Sequence, residues 1–455
     1  MPDFENQAIH ERLIQEIKEI VESGNPQGLK RLVDDIRPAD LADLIEHLDP
    51  DERLFIFKVL EPEGAGDVLV EMEAPAQERL LMDLDNQAIS QIVQELDSDD
   101  AADLLGDLPS ERAKEIIQHL GDDVSQEMEK LMPYKEDTAG GLMGLEYVAM
   151  RSDATVGDAV EIIREKRDEV ESLYYIWVVD GFGRLVGVIS LKDLLLEPKE
   201  RIISEIMNPK VISVNAGTDQ EKVAHLVKQY NLVNIPVVDQ HQRLVGRITH
   251  DDIIDVIEEE ADEDITMMAG VIDQEIAEES PLRMSRARLP WLIAGLFGGV
   301  LAAVVINQFE TSLVQVLALS FFFPAIMAMG GNTGTQAATV VVRGLATGDI
   351  SLVNTGRRIW LEMKVAIVNG IICGLILGLV VGAWLGDLRL GGVVALSLIL
   401  IVINSGVIGS AVPMLLKRLN IDPAIATGPF VTTTNDILSL LIYLGLVTTF
   451  LRLTA

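Results

Sequence analysis

The sequence predicts a multidomain membrane protein. It reads as an all-α superhelical array, an α/β tandem pair, an acidic connecting helix and an α-helical membrane domain with five spans. Three observations carry this. Charge divides the 455-residue chain: 25 Lys/Arg and 65 Asp/Glu fall in residues 1–280, against 11 and 6 in the apolar remainder. Five long apolar runs lie in that remainder. Ahead of them stand two unrelated internal repeats, one near 23–25 residues and one with an offset of 59.

The first domain, residues 1–131, places apolar residues with a period near 3.6 between short Pro/Gly/Asp turns. Related units recur as LADLIEHLDPDERLFIFKVL from Leu41, GDVLVEMEAPAQERLLMDL from Gly66 and ISQIVQELDSDDAADLLGDL from Ile89. Each is too short to bury a face alone, so stacked helix pairs in a superhelix are expected. The N-terminus MPDFENQAIHERL has no basic stretch followed by an apolar core, which argues against a cleaved leader and for a cytosolic first half.

The second region, 132–257, opens with the linker MPYKEDTAGGLM. YYIWVVDGFGRLVGVISLKDLLL from Tyr174 then aligns with NIPVVDQHQRLVGRITHDDIID from Asn234, so that Asp180, Arg184, Gly187 and Asp193 match Asp239, Arg243, Gly246 and Asp252. Each copy reads as a strand, an Asp/Gly turn, a second strand and a helix start, preceded by an amphipathic helix. This pattern resembles a pair of CBS domains, which usually pack as a pseudo-twofold regulatory module. The resemblance implies that Ser190 and Asp193 bind the phosphate and ribose of ATP or another adenine nucleotide, with Thr249 and Asp252 as their counterparts. From the residues alone, both Asp side chains also suit the first turn of a helix, where they oppose its dipole.

The third region, 258–282, continues DDIIDVIEEEADEDITMMAGVIDQEIAEESP, which runs from Asp251 with no Lys or Arg as far as Leu282. On a helix, Asp252, Asp255, Glu259, Asp262 and Glu263 share one face. Carboxylates at such spacings repel, and a divalent cation would remove the repulsion.

The membrane domain, 283–455, has spans expected at 290–309, 313–342, 361–385, 391–416 and 424–450, each long enough for a bilayer core of about 30 Å. Arg283, Arg286 and Arg288 precede the first span; Arg343, Arg357, Arg358 and Lys364 flank the second loop; Lys417 and Arg418 lie in the fourth. The first loop has no basic residue and the third only Arg389. The positive-inside rule then puts the soluble half in the cytoplasm and, across an odd number of spans, the C-terminus outside. The second, fourth and fifth spans hold residues that plain anchors avoid: Pro324 with Gly330, Gly331, Asn332 and Gly334; Asn404 to Pro413; Thr427 to Asp436. Unwound backbone at membrane depth needs protein or a wet cavity beside it. A polar path lined by these three spans is expected, with backbone carbonyls freed near Ala424–Gly428, Asn332 and Thr432–Asn435.

Composition also excludes. The acidic excess repels nucleic acid. Cys373 stands alone, so neither an intrachain disulfide nor a thiolate metal site forms. An intramembrane aspartyl protease needs paired carboxylates, yet Asp436 is the single acid deep in a span, and all six His precede residue 251. An enzyme is not expected.

Taken in order, these parts resemble the MgtE family of bacterial magnesium channels, most specifically in FFFPAIMAMGGNTGTQAATVVVRGLATGDI and IDPAIATGPFVTTTNDILSLLIYL, with YKEDTAGGLM in support. The resemblance implies a multi-pass homodimer in the bacterial plasma membrane, with a Mg²⁺ pore between subunits at Asp436. It further implies a cytosolic gate closed by Mg²⁺, with ligands Asp67, Asp99 and Asp103 in the array and Asp219 and Glu221 in the second CBS copy. On the connecting helix the implied ligands are Asp252, Asp255, Glu260, Glu263 and Asp264, and Asp422 adds one at the pore mouth. The alternative reading is a CBS-regulated transporter of Co²⁺ or Ni²⁺, disfavoured by a thiol-free, oxygen-rich path.

Overall fold

The computed structural model describes residues 2–167, 173–269, 281–426 and 428–454. The chain divides into two compact units, the first ending at Ile257 and the second beginning at Glu258.

The first unit opens on ten helices: α1 (Pro2–Glu22), α2 (Pro26–Val33), α3 (Pro38–Glu46), α4 (Pro50–Phe57), α5 (Pro62–Val70), α6 (Ala74–Asp83), α7 (Asn86–Val93), α8 (Ser98–Gly106), α9 (Ser110–Ile117) and α10 (Asp122–Leu131). From α2 onward their first residues stand at 26, 38, 50, 62, 74, 86, 98, 110 and 122. The repeat is therefore a 12-residue helix unit, and the pairs read from the sequence are two of these. Chemistry sets the period. Pro occupies the start of α2 to α5, where its missing N–H costs nothing. Asp85 accepts the Ala88 amide, and the Asp49 amide donates to Glu52, at the starts of α7 and α4. From α3 to α8, two adjacent apolar residues recur at the same place in each unit and are buried: Leu44 and Ile45, Ile56 and Phe57, Val68 and Leu69, Leu80 and Leu81, Ile92 and Val93, Leu104 and Leu105. Helices pack on the helix two along, α3 on α5, α5 on α7, α7 on α9 and α8 on α10, within one continuous core.

The tandem pair follows. β1 (Ala149–Arg151), α11 (Val156–Glu165), β2 (Tyr175–Val179), β3 (Leu185–Ser190), α12 (Leu191–Leu196) and α13 (Ile203–Ile206) form the first copy. β4 (Val214–Asn215), α14 (Gln220–Tyr230), β5 (Ile235–Val238), β6 (Leu244–Ile248) and α15 (His250–Ala269) form the second. Both sheets run parallel then antiparallel, in orders β1-β2-β3 and β4-β5-β6, and both shift register between the last two residues of the middle strand. The linker lies along the second copy, through Ala139 and Gly140 amides to the Thr218 and Ala216 carbonyls and a two-bond bridge between Gly144 and Arg247. The acidic segment expected over 258–282 is helical from His250 to Ala269 without a break at 258; residues 270–280 lie outside the described residues.

Among the described residues of the second unit, five helices are long and apolar enough to span a membrane. They are α16 (Pro281–Gln308), α18 (Phe323–Ala346), α19 (Thr355–Leu385), α20 (Leu388–Arg418) and α21 (Pro429–Thr454), with short α17 (Glu310–Gln315) after the first. Their interruptions differ from those expected. Pro324 stands in the first turn of α18, preceded by a 3₁₀ turn over Leu317–Phe322, so it starts the helix rather than breaking it. Gly330 to Gly334, Asn404 to Pro413 and Thr432 to Asn435 all lie within continuous helix. Carbonyls at Asn332 and Thr432–Asn435 are thus bonded inside their helices, not freed; of the stretches expected to be unwound, Ala424–Ala426 forms a 3₁₀ turn, and Thr427 lies outside the described residues. The glycines serve close packing instead. A Cβ at Gly409 would lie 2.2 Å from the Gly334 carbonyl oxygen, and one at Gly378 would lie 2.7 Å from that of Gly391. α18, α20 and α21 pack on one another, α19 lies against α20, and α16 against α21.

Candidate metal sites

An acidic cluster forms within the first unit where α8, the linker and the start of α15 converge. One carboxylate oxygen each of Asp97, Asp99 and Glu146 lies within 4.8 Å of the others. Glu146 is fixed by the Ser98 amide (3.0 Å) and hydroxyl (3.1 Å), and the Ser98 hydroxyl in turn accepts the Leu145 amide at 2.8 Å. This double tie clamps the linker to the N-terminus of α8. Gly144 makes room: a Cβ there would sit 2.8 Å from oxygens of both Asp99 and Glu146. Asp252 enters from the first turn of α15, its carboxylate accepting the Thr249 amide at 2.8 Å and the Thr249 hydroxyl.

Burial and like charge govern the electrostatics of the cluster. Burial raises Asp99 well above the usual carboxylate range, and Asp252, Asp100, Glu146 and Asp97 raise it further. Burial, then Asp252 and Asp97, push Asp100 up to about 7. Asp103 is exposed as a residue, but burial of its carboxyl, then Asp100, Glu136 and Asp107, push it up to about 8. Solvent screens that rise more than the one at Asp100. Asp107 rises to about 6 by burial and by Glu78 and Glu136. Burial raises Asp252 as well, opposed by its Thr249 hydrogen bonds. A dication among these oxygens would replace protons and repulsion with coordination.

Of the acids expected as ligands, Asp99, Asp103 and Asp252 are brought together. Asp67, exposed on α5, is not among the acids crowding Asp99. Asp219 stands exposed at the start of α14, and Glu221 lies half-buried in its first turn. Asp255 is exposed on α15; Glu260, Glu263 and Asp264 are half-buried on the same helix beyond the unit boundary. Asp422 accepts the Ala424 amide at 2.7 Å and caps the 3₁₀ turn before α21. Sequence reasoning missed Asp97 and Glu146. Asp97 occupies the cap position of a helix unit, where an acid reads as a cap, and Glu146 is an isolated acid whose partners lie more than forty residues upstream.

Ser190 and Asp193 close on each other: the Ser190 hydroxyl donates to Asp193 at 2.6 Å and accepts its amide at 3.1 Å, capping α12. Thr249 and Asp252 share the hydroxyl-to-carboxylate bond at α15, where the Thr249 amide also donates to the Asp252 carboxylate.

In the second unit Asp436 opens on a cavity of about 210 Å³ lined by Met327, Ala328, Gly331, Asn332, Thr335 and Thr432. A Cβ at Gly331 would lie 3.8 Å from an Asp436 oxygen, so the glycine keeps the cavity wide at the carboxylate. The lining comes from α18 and α21. α20, expected as a third wall, contributes no lining residue, because its small residues pack against α18 and α19 instead. Asn435 is fully buried and faces Gly334, away from the cavity, and the thioether of Met327 interrupts an otherwise oxygen-bearing polar lining.

Residues 36–137 match the family described as the MgtE intracellular N domain, 139–200 and 203–259 the CBS domain, and 323–446 the divalent cation transporter family MgtE. The chain is 42% identical over 322 residues to the magnesium transporter MgtE of Thermus thermophilus, covering 70% of this chain and 71% of that one. It is 41% identical over 328 residues to that of Bacillus subtilis, covering 72% and 73%. Among solved structures, the cytosolic domain of the Mg²⁺ channel MgtE in complex with ATP aligns with a TM-score of 0.51 at 37% identity, over 53% of this chain and 99% of that one. The soluble part of a magnesium transporter aligns at 0.50 and 30%, over 55% and 99%. With the array, the CBS pair and the five-helix unit each matched, the chain belongs to the MgtE family of divalent cation transporters.

Proposed function

We propose that this protein is a homodimeric Mg²⁺ channel that takes the ion into a bacterial cell past Asp436 and is closed by cytosolic Mg²⁺. The observation that carries the reading is the half-buried Asp436 carboxylate facing a cavity that also presents Asn332, Thr335 and Thr432. Mg²⁺ holds its waters tightly, so a path for it needs hydrogen-bonding groups and one carboxylate rather than a closed cage. Two copies of Asp436 about a twofold axis supply two negative charges, and weak occupancy allows release. Passage of other divalent ions such as Co²⁺ or Ni²⁺ is the second reading, and the Met327 thioether favours it more than a purely oxygen lining would.

The gate rests on the cluster around Asp99 and Asp252. With Mg²⁺ scarce, repulsion among these acids and those of α15 opposes their approach; with Mg²⁺ abundant, ions bridge Asp97, Asp99, Glu146 and Asp252, and further ions bridge Asp67, Asp219, Glu221, Asp255, Glu260, Glu263, Asp264 and Asp422. Moving a gate from 1:99 to 99:1 takes about 5.5 kcal/mol of differential binding, which several weak sites supply and one does not. The N-terminal unit faces the cytoplasm and the C-terminus the outside, as the basic loops direct. An adenine nucleotide takes Ser190 and Asp193, in keeping with the ATP complex of the related cytosolic domain. The test is Mg²⁺ influx into liposomes: wild-type protein passes Mg²⁺, and Asp436→Ala abolishes the flux. Equal flux in the two ends the pore assignment.

A further inference from the structure

The end of the CBS pair remote from its Ser190 and Thr249 caps has no part in this scheme, yet it sets two arginines side by side in the acidic half. There the turn Asp180–Gly183, between β2 and β3, meets the turn Asp239–Gln242, between β5 and β6. The Leu185 amide donates to the Gln242 carbonyl at 3.0 Å and the Leu244 amide to the Gly183 carbonyl at 3.2 Å. Arg184 and Arg243 stand directly opposite each other in the resulting antiparallel bridge. Side chains so paired project from one face with Cβ atoms about 5 Å apart, and like charges there repel. Because the two arginines hold the same position in their repeats, a local twofold axis passes between them.

Each guanidinium rests on an acid of its own turn. Arg184 donates from Nε to Asp180 at 2.8 Å, with Nη2 2.7 Å from the same oxygen, and Arg243 donates from Nε to Asp239 at 2.8 Å. The two carboxylates also accept the amides of Phe182 and Arg184, and of His241 and Arg243. Exposure orders these charges. The Asp side chains are 23% and 21% exposed and the Arg side chains 53% and 54%, so the acids lie beneath and the guanidiniums outward. A pocket of about 350 Å³ opens here, lined by Phe182, Arg184, His241 and Arg243 and by neither aspartate. Arg184 also lies 5.3 Å from the Phe182 ring centre.

We propose that this pocket is an anion site for a small phosphate-bearing molecule, with Arg184 and Arg243 as its ligands and Phe182 and His241 as its side walls. Three features select that chemistry. Both arginines line a space shared with Phe182 and His241, and a guanidinium keeps N–H donors beyond those given to its aspartate that can meet phosphate oxygens. The aspartates beneath hold the forks in place, which reduces the freedom lost on binding. An anion on the axis turns the cross-strand repulsion of the two arginines into attraction. The site is distinct from the nucleotide position: β3 runs from Leu185 to Ser190, which separates the two by about 17 Å. It is independent of any cation path.

The test is calorimetric titration of the full chain in detergent with inorganic pyrophosphate, in EDTA to remove Mg²⁺. Wild-type protein should bind, and Arg184→Gln or Arg243→Gln should weaken binding by about 10–100-fold, the loss of one charge-assisted contact. Arg184→Lys keeps the charge but not the fork, and should weaken binding severalfold at an unchanged melting temperature, which separates loss of the site from loss of the fold. Asp193→Asn should bind as wild type does. No binding to wild-type protein at millimolar pyrophosphate, undiminished binding in the arginine variants, or loss in Asp193→Asn alone would each overturn the assignment.

Discussion

The acidic cluster makes a quantitative demand on how stability varies with pH. Asp100 has a carboxyl pushed up to about 7 by burial and its neighbours, against 3.8 for the free group. A carboxyl raised on folding stabilises the native state while it stays protonated, below its unfolded value, and that stability is lost as pH rises through the folded value. Between pH 6 and 8 the native state holds on average half a proton here that the unfolded chain does not. At 1.36 kcal/mol per pH unit, Asp100 alone loses about 1.4 kcal/mol over those two units, before screening by salt. In a unit the size of residues 1–257 that corresponds to a fall in melting temperature of about 3–5 °C. Asp99, more strongly raised, adds to it. The assay is thermal unfolding of a 1–257 fragment in EDTA, with and without Asp100→Asn, which cannot ionise. The variant should lose about 1.4 kcal/mol of the pH dependence, and millimolar Mg²⁺ should flatten the wild-type profile by stabilising it more at pH 8 than at pH 6. If wild type and Asp100→Asn fall equally between pH 6 and 8, the crowding described around α8 is wrong.

Other outcomes follow from the same geometry. Glu146→Gln keeps an acceptor for the Ser98 amide but removes a charge and the acceptor for the Ser98 hydroxyl, so Mn²⁺ binding to the cytosolic unit, read by electron paramagnetic resonance, should weaken by about tenfold. Gly144→Ala places a methyl against two carboxylates and should weaken the same binding without touching a ligand. Gly409→Ala, whose new carbon would meet the Gly334 carbonyl, should lower the stability of the detergent-solubilised protein by about 1–3 kcal/mol, the usual cost of overpacking, measured by thermal aggregation.

Much of the fold was legible because it is periodic. The repeats near 23–25 residues, the 59-residue offset of the CBS copies and the five apolar runs all repeat a local rule, and local rules are what a sequence displays; that each of the first repeats is two 12-residue helix units emerged only with the helix boundaries. The departures lie where packing overrode propensity. Gly330, Gly331 and Gly334 read as a broken helix because glycine is a poor helix former, but in α18 they let Ser439, Asn435 and the α20 backbone approach, and tertiary contact holds the helix intact. Pro324 and Pro429 read as interruptions and stand at helix starts. The site was legible in part. Asp436 stood out as an acid in an apolar run, and Asp99 and Asp252 as members of acidic stretches. Glu146 had no such signal, since what recruits it is Ser98, forty-eight residues away.

The uniform spacing of helix starts in the array has a consequence for change by insertion. Because every unit from α2 onward has the same length and α3 to α8 bury the same pair of positions, duplicating one whole unit within that stretch would preserve the core, whereas adding a single residue would throw each later unit out of step. Yet even a tolerated duplication upstream of α8 would differ from one downstream. The first leaves Ser98 beside Glu146, while the second lengthens the tether between them and releases the carboxylates from a common centre. The array thus behaves as a ruler whose length is free on one side of the acids and fixed on the other.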